Sequence, residues 1–177
     1  MATAQTSSSS SDAQAAPRKR PKPGERRIQI LQTLAAMLEQ PGAERITTAA
    51  LAARLGVSEA ALYRHFASKA QMFEGLIEFI ETSIFSLLNQ IAERSDAPEV
   101  KARHMVTVLL QFAQRNPGMA RVMVGDALVF ENDRLEQRMN QFFERFESSL
   151  RQVLRDQAQA TSSPTPTVDA NVQSSVL

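Results

Sequence analysis

The sequence predicts an all-α protein: an N-terminal three-helix unit built around a helix-turn-helix, followed by a helical dimerisation or regulatory domain. Three observations predict it. Large apolar residues recur at spacings of three and four, the period of a helix that buries one stripe. No segment shows the convincing alternation that marks a half-buried strand. Stop signals fall at helix-length intervals, at Pro41-Gly42, Gly56, Ser95–Pro98 and Asn116–Gly118.

The elements follow in order. Residues 1–23 are Ser/Ala-rich and then basic and Pro-punctuated; they predict a disordered basic arm, since they bury too little to offset ordering entropy. Ile28, Leu31, Leu34, Ala35 and Leu38 form the first stripe, closed by Pro41-Gly42. Thr47 or Thr48 caps a second helix with Leu51, Ala52 and Leu55 inward, ending at Gly56. Ser58 caps a third helix to about Phe66, and these helices make up a unit at 24–70. A helical domain at 71–159 follows. Ser68 caps its long first helix, with Met72, Phe73, Leu76, Ile77, Ile80, Ile84, Leu87, Leu88 and Ile91 inward. Pro98 suits the first turn of the next helix, which carries Met105, Val106, Leu109, Leu110, Phe112 and Ala113. A short piece, Met119–Val124, comes next. The last helix starts near Asp133 and carries Leu135, Met139, Phe142, Phe143, Phe146, Leu150, Val153 and Leu154, its phenylalanines suiting core or dimer interface. Residues 160–177 are Ser/Thr/Pro-rich and predict a disordered tail.

Composition narrows the function. The 177 residues include no cysteine, which excludes disulfides, zinc fingers and thiol catalysis and fits a reducing cytoplasm. No apolar run approaches the roughly 18 residues of a membrane span. His65 and His104 have no ligand-like spacing, and there is no Gly-rich phosphate loop or nucleophile elbow, so no enzyme, metal or cofactor is expected. The net charge of +1 is unevenly spread. Arg18, Lys19, Arg20, Lys22, Arg26 and Arg27 face only Asp12 and Glu25 in the first 27 residues, and Arg45–Lys69 holds four basic residues against Glu59. Positive charge therefore concentrates in the part that would meet phosphates.

The segment Thr47–Phe66 carries the chemistry. Two short helices meet at Gly56, where a tight turn needs positive φ. In a helix-turn-helix the second helix enters the major groove of double-stranded DNA. Ser58, Ala60, Ala61 and Tyr63 then lie near its leading end, where alanines reach thymine methyls and hydroxyls reach base edges or phosphate. Thr47 and Thr48 sit at one helix N-terminus and Lys69 at another, both suited to phosphate.

The phrases Leu55-Gly56-Val57-Ser58, Leu62-Tyr63-Arg64-His65-Phe66 and Ser68-Lys69 resemble the N-terminal domain of TetR-type regulators. Arg115-Asn116-Pro117-Gly118, Phe143-Glu144-Arg145-Phe146 and the stretch from Leu150 to Arg155 narrow the resemblance to the nucleoid-occlusion branch of that family, in register from about Arg26 to Arg155. That resemblance implies a cytoplasmic, nucleoid-associated homodimer that spreads on DNA. When DNA-bound it antagonises polymers of the division GTPase FtsZ and keeps septa off the chromosome. It assigns Thr47, Ser58, Tyr63, His65 and Lys69 to DNA, and a partner surface to Phe79, Val108, Gln111, Arg115 and Asn116. Val108 and Gln111 stand where a relative in that branch carries leucine and glycine, Leu87 where it carries arginine, and Ala50 where it carries lysine. The resemblance also implies two terminal helices, of which the sequence predicts only the first, so a shortened dimer interface is expected. The alternative within the family is a ligand-responsive TetR-type transcriptional repressor, and outside it a helical interaction module without DNA binding.

Overall fold

The computed structural model describes residues 24–40, 45–160 and 166–176. The predicted arm at 1–23 lies outside them. Every regular element among the described residues is helical: α1 (Glu25–Leu38), α2 (Thr48–Leu55), α3 (Glu59–Leu62), α4 (Lys69–Ala92), α5 (Pro98–Arg115), α6 (Pro117–Met123), a 3₁₀ turn at Asp126–Leu128, α7 (Asp133–Ala160) and α8 (Pro166–Val176).

Local chemistry sets the boundaries of the first elements. Thr47, not Thr48, caps α2, its hydroxyl accepting from the Ala50 N–H at 3.1 Å. Ser58 caps α3 by accepting from Ala61 N–H at 3.3 Å, and Ser68 caps α4 by accepting from Gln71 N–H at 3.1 Å. Each bond satisfies an N–H that a helix start leaves without an internal partner. Gly56 sits at φ 65° and ends α2, and Val57 N–H returns to the Ala52 carbonyl at 3.0 Å. That left-handed turn is cheap only for glycine. The helical hydrogen bonding of α3 loosens after Leu62, short of the predicted end, and Tyr63–His65 continue as a turn. Phe66 N–H still reaches the Leu62 carbonyl at 3.1 Å.

Ile30, Leu34, Leu51, Ala52, Leu62 and Phe66 close the core of the three-helix unit. Ile28, predicted inward, is 57% exposed, and Ile30 takes its place. Helix α4 leaves this unit and packs with α5 and α7, burying Ile80, Ile84 and Leu88 against Met105, Phe142 and Phe146. Glu81 and Arg138 tie α4 to α7 through a two-pronged ion pair, 2.6 Å at its closer contact. Leu87, predicted inward, is exposed, as are Leu110 and Phe143.

Helix α6 packs against α1. A Cβ on Gly118 would lie 2.1 Å from the Ala35 carbonyl oxygen, so only glycine permits this approach. Arg121 of α6 completes the joint by donating Nη1 to the Leu38 carbonyl at 2.9 Å, at the end of α1.

The predicted disordered tail needs correction. Residues 166–176 form α8, which packs on α7. Pro166 stands at the first helical position, where its missing N–H costs nothing. Ala170 and Ser174, four apart, are buried. These small side chains let α8 lie close to α7 without the large apolar stripe that signals a helix in sequence.

Candidate nucleic-acid interface

Helices α2 and α3 present one exposed surface. Thr47, Ser58, Ala60, Tyr63 and His65 are exposed, Thr48, Ala61 and Lys69 half-buried. Tyr63 keeps 47% of its surface, while Leu62 and Phe66 on either side are buried and anchor the turn. An aromatic ring left outward beside such a core is available to a base edge or phosphate.

Three side chains have partners that the sequence did not reveal. Thr48, expected at phosphate, donates its hydroxyl to Glu59 Oε2 at 2.6 Å, joining the start of α2 to the start of α3. Lys69 is paired with Glu131, from the segment between the 3₁₀ turn and α7, and its ammonium stands 5.6 Å from the Phe73 ring centre. Arg27, read only as part of the basic charge of the first 27 residues, donates Nη1 to the His65 carbonyl at 2.9 Å and lies 4.0 Å over the Phe66 ring. It braces the turn that carries Tyr63. Ser58 and Thr47 use their hydroxyls as caps, which leaves their outer faces exposed.

A second surface lies on α4 and α5. Leu87, Val108 and Gln111 come together along a groove of about 470 Å³, with Gln90, Arg94 and His104. His104, assigned no ligand role by its spacing, is half-buried there. Phe79 is half-exposed, its ring 6.4 Å from that of Phe112. Arg115 is exposed at the end of α5, and Asn116 turns back to donate Nδ2 to the Phe112 carbonyl at 2.8 Å. Asn116 is thus a helix stop as well as a candidate contact.

Among the described residues no group of three His, Asp or Glu side chains is placed to hold a metal ion. None of the described helices is long and apolar enough to cross a membrane.

A short helix-turn-helix on a helical bundle defines a class of regulatory DNA-binding folds, and comparison places the chain within it. Residues 30–76 match the family described as bacterial regulatory proteins, tetR family, and residues 98–177 match the tetracyclin repressor-like C-terminal domain of SlmA-like type. The fold resembles a TetR-family regulator from Bordetella parapertussis (TM-score 0.66, 16% identity, 86% of this chain and 78% of that one). It also resembles the TetR-family regulator PfmR from Thermus thermophilus (TM-score 0.63, 22% identity, 76% and 72%). Sequence likeness is closer to the nucleoid occlusion factor SlmA of Vibrio cholerae, 54% identical over 153 residues, 86% of this chain and 78% of the relative. SlmA of Photobacterium profundum is 59% identical over 132 residues, 74% and 67%. The chain belongs to the SlmA family of TetR-type nucleoid occlusion factors.

Proposed function

We propose that the protein is a cytoplasmic, nucleoid-associated homodimer that binds specific double-stranded DNA sites through α2 and α3 and, when DNA-bound, antagonises FtsZ polymers through the α4–α5 face. Its role is regulatory, not catalytic: it keeps division septa off the chromosome. The observation that carries this reading is the extent of the likeness. The alignment at 54% identity spans 153 residues, 86% of the chain, too long to be confined to the DNA-binding unit. An ordinary repressor would share chiefly that unit. Tyr63, Ser58 and Ala60 serve the bases, and Thr47, His65 and Lys69 the backbone. Phe79, Val108, Gln111, Arg115 and Asn116 form the partner surface.

The test is sedimentation of GTP-assembled FtsZ with the full-length protein, with and without a duplex carrying its selected site. Polymer should be lost in the presence of that duplex and much less with a scrambled one. Undiminished polymer at saturating DNA would refute the role.

A small-molecule-responsive repressor is the second reading, favoured by a cleft of about 570 Å³ between α4, α5 and α7 that includes Phe85, Met105, Arg145 and Gln152. It requires a ligand that occupies the cleft and lowers DNA affinity.

A further inference from the structure

We infer that Glu59 reads a cytosine in the major groove and that Thr48 positions its carboxylate for that contact. The inference rests on the DNA-binding reading of α2 and α3 and adds a residue and a base to it.

Glu59 is exposed and opens α3, four residues before the exposed Tyr63, so both occupy one face of that turn. A negative charge there works against binding to a polyanion, since phosphates lie within a Debye length of any residue in the groove. Its presence on this face calls for a compensating contact. A carboxylate accepts hydrogen bonds and cannot donate them. In the major groove the exocyclic amines of cytosine and adenine are the donors. On adenine the amine sits beside the N7 acceptor, which repels the second carboxylate oxygen. On cytosine the amine has no acceptor on the groove edge of its own base, so cytosine is the better match.

The Thr48 hydroxyl supplies the second half of the argument. It donates to Oε2 at 2.6 Å, which fixes the carboxylate and leaves Oε1 for a base. Holding a flexible side chain in its bound rotamer reduces the entropy lost on contact. Thr48 is a positioning residue in this scheme.

The experiment is selection of binding sites from random duplexes by the full-length parent and by E59Q, E59A, T48V and T48S, with the thermal midpoint of each variant measured alongside. The parent should select cytosine at one symmetry-related position of each half-site. E59Q should exchange that preference for adenine, which glutamine contacts through both N6 and N7. E59A should lose discrimination there by roughly ten-fold or more, while binding unrelated duplex more tightly. T48V should weaken the same position, and T48S should restore it. A purely structural role would shift thermal midpoints and leave the selected base unchanged. Site profiles of E59Q and E59A that match the parent at every position would overturn the inference while leaving DNA binding intact. A parent that selects no site at all would overturn the DNA-binding reading itself, and this inference with it.

Discussion

Gly118→Ala tests the joint between α1 and α6. The added methyl would lie 2.1 Å from the Ala35 carbonyl oxygen and 3.1 Å from its carbon. An ordinary carbon–oxygen contact is roughly 3.3 Å, so α6 must retreat from α1 by about 1 Å. Arg121 sits on the same helix, one turn on, and its 2.9 Å bond to the Leu38 carbonyl does not survive that retreat. Overpacking of this kind costs about 1–3 kcal/mol. Loss of a hydrogen bond from a charged donor adds about 1.5 kcal/mol, the low end of its range because the pair is only part-buried. Alanine in a helix returns about 0.5–1 kcal/mol relative to glycine. The balance is a loss of roughly 1.5–4 kcal/mol. At about 2–4 °C per kcal/mol for a chain of this size, the thermal midpoint should fall by roughly 3–16 °C. Circular dichroism melts of the parent, G118A, R121M and D126N measure it; R121M removes the bond to Leu38 together with the Arg121–Asp126 ion pair, and D126N removes that ion pair alone. A G118A midpoint at or above that of the parent, as a helical glycine without a close neighbour would give, refutes the reasoning.

Three further outcomes are expected. Lys69→Ala should lower affinity for unrelated duplex and flatten its logarithmic salt dependence by about one unit, while Glu131→Gln, which removes the carboxylate that competes with phosphate for the ammonium, should raise that affinity; an unchanged slope in Lys69→Ala would show that Lys69 does not reach phosphate. Arg138→Met removes the tie between α4 and α7 and should cost about 1 kcal/mol, less at high salt, by urea titration. Its hydrogen bond to Glu81 holds the Arg138 guanidinium above its ordinary pKa; burial opposes this, and the charges of Glu81, Glu78 and Glu74 add to it. A raised folded pKa stabilises fully below the unfolded value and is lost only as pH climbs through the folded one. The difference between Arg138→Met and the parent should therefore stay constant through the neutral and mildly alkaline range. Ala170→Asp places a charge in the contact between α7 and α8, so hydrogen exchange across Pro166–Val176 should accelerate sharply; unchanged protection would mean that α8 does not depend on that seat.

How much of this was legible in the sequence follows from where each cause resides. Helix starts at Thr47, Ser58 and Ser68 and the turn at Gly56 are made by residues within four positions of their effect, and they could be read directly. The first stripe could not be phased, because Ile28 and Ile30 both join helical series that end on Leu34 and Leu38; packing, not periodicity, selects Ile30. Helix α8 was hidden because Ala170 and Ser174 bury little apolar surface and its flanks are Ser, Thr and Pro. The exposed residues of α2, α3 and the turn after them were legible as the face opposite Leu62 and Phe66. Their partners were not: Glu59 lies eleven residues from Thr48, and Glu131 sixty-two from Lys69. No local rule connects such distances.

The same distances explain how one short segment serves two surfaces. Ala35 and Leu38 of α1 touch Gly118 and Arg121 of α6. Two residues before Gly118, Asn116 holds the Phe112 carbonyl, and Phe112 faces the Phe79 ring. The DNA-binding unit and the candidate partner face are therefore joined by an unbroken series of contacts through the α5–α6 corner. Contiguity alone does not establish coupling; that requires an arrangement which both sites bias. Coupling of binding free energies is reciprocal, so DNA must raise partner affinity by the same factor as the partner raises DNA affinity. If the α1–α6 joint is the element that both bias, G118A should reduce those two factors equally, even where it changes each separate affinity by a different amount. Coupling factors that stay at parental values in a folded G118A protein would place the communication elsewhere, with the Lys69–Glu131 pair as the next connection to break.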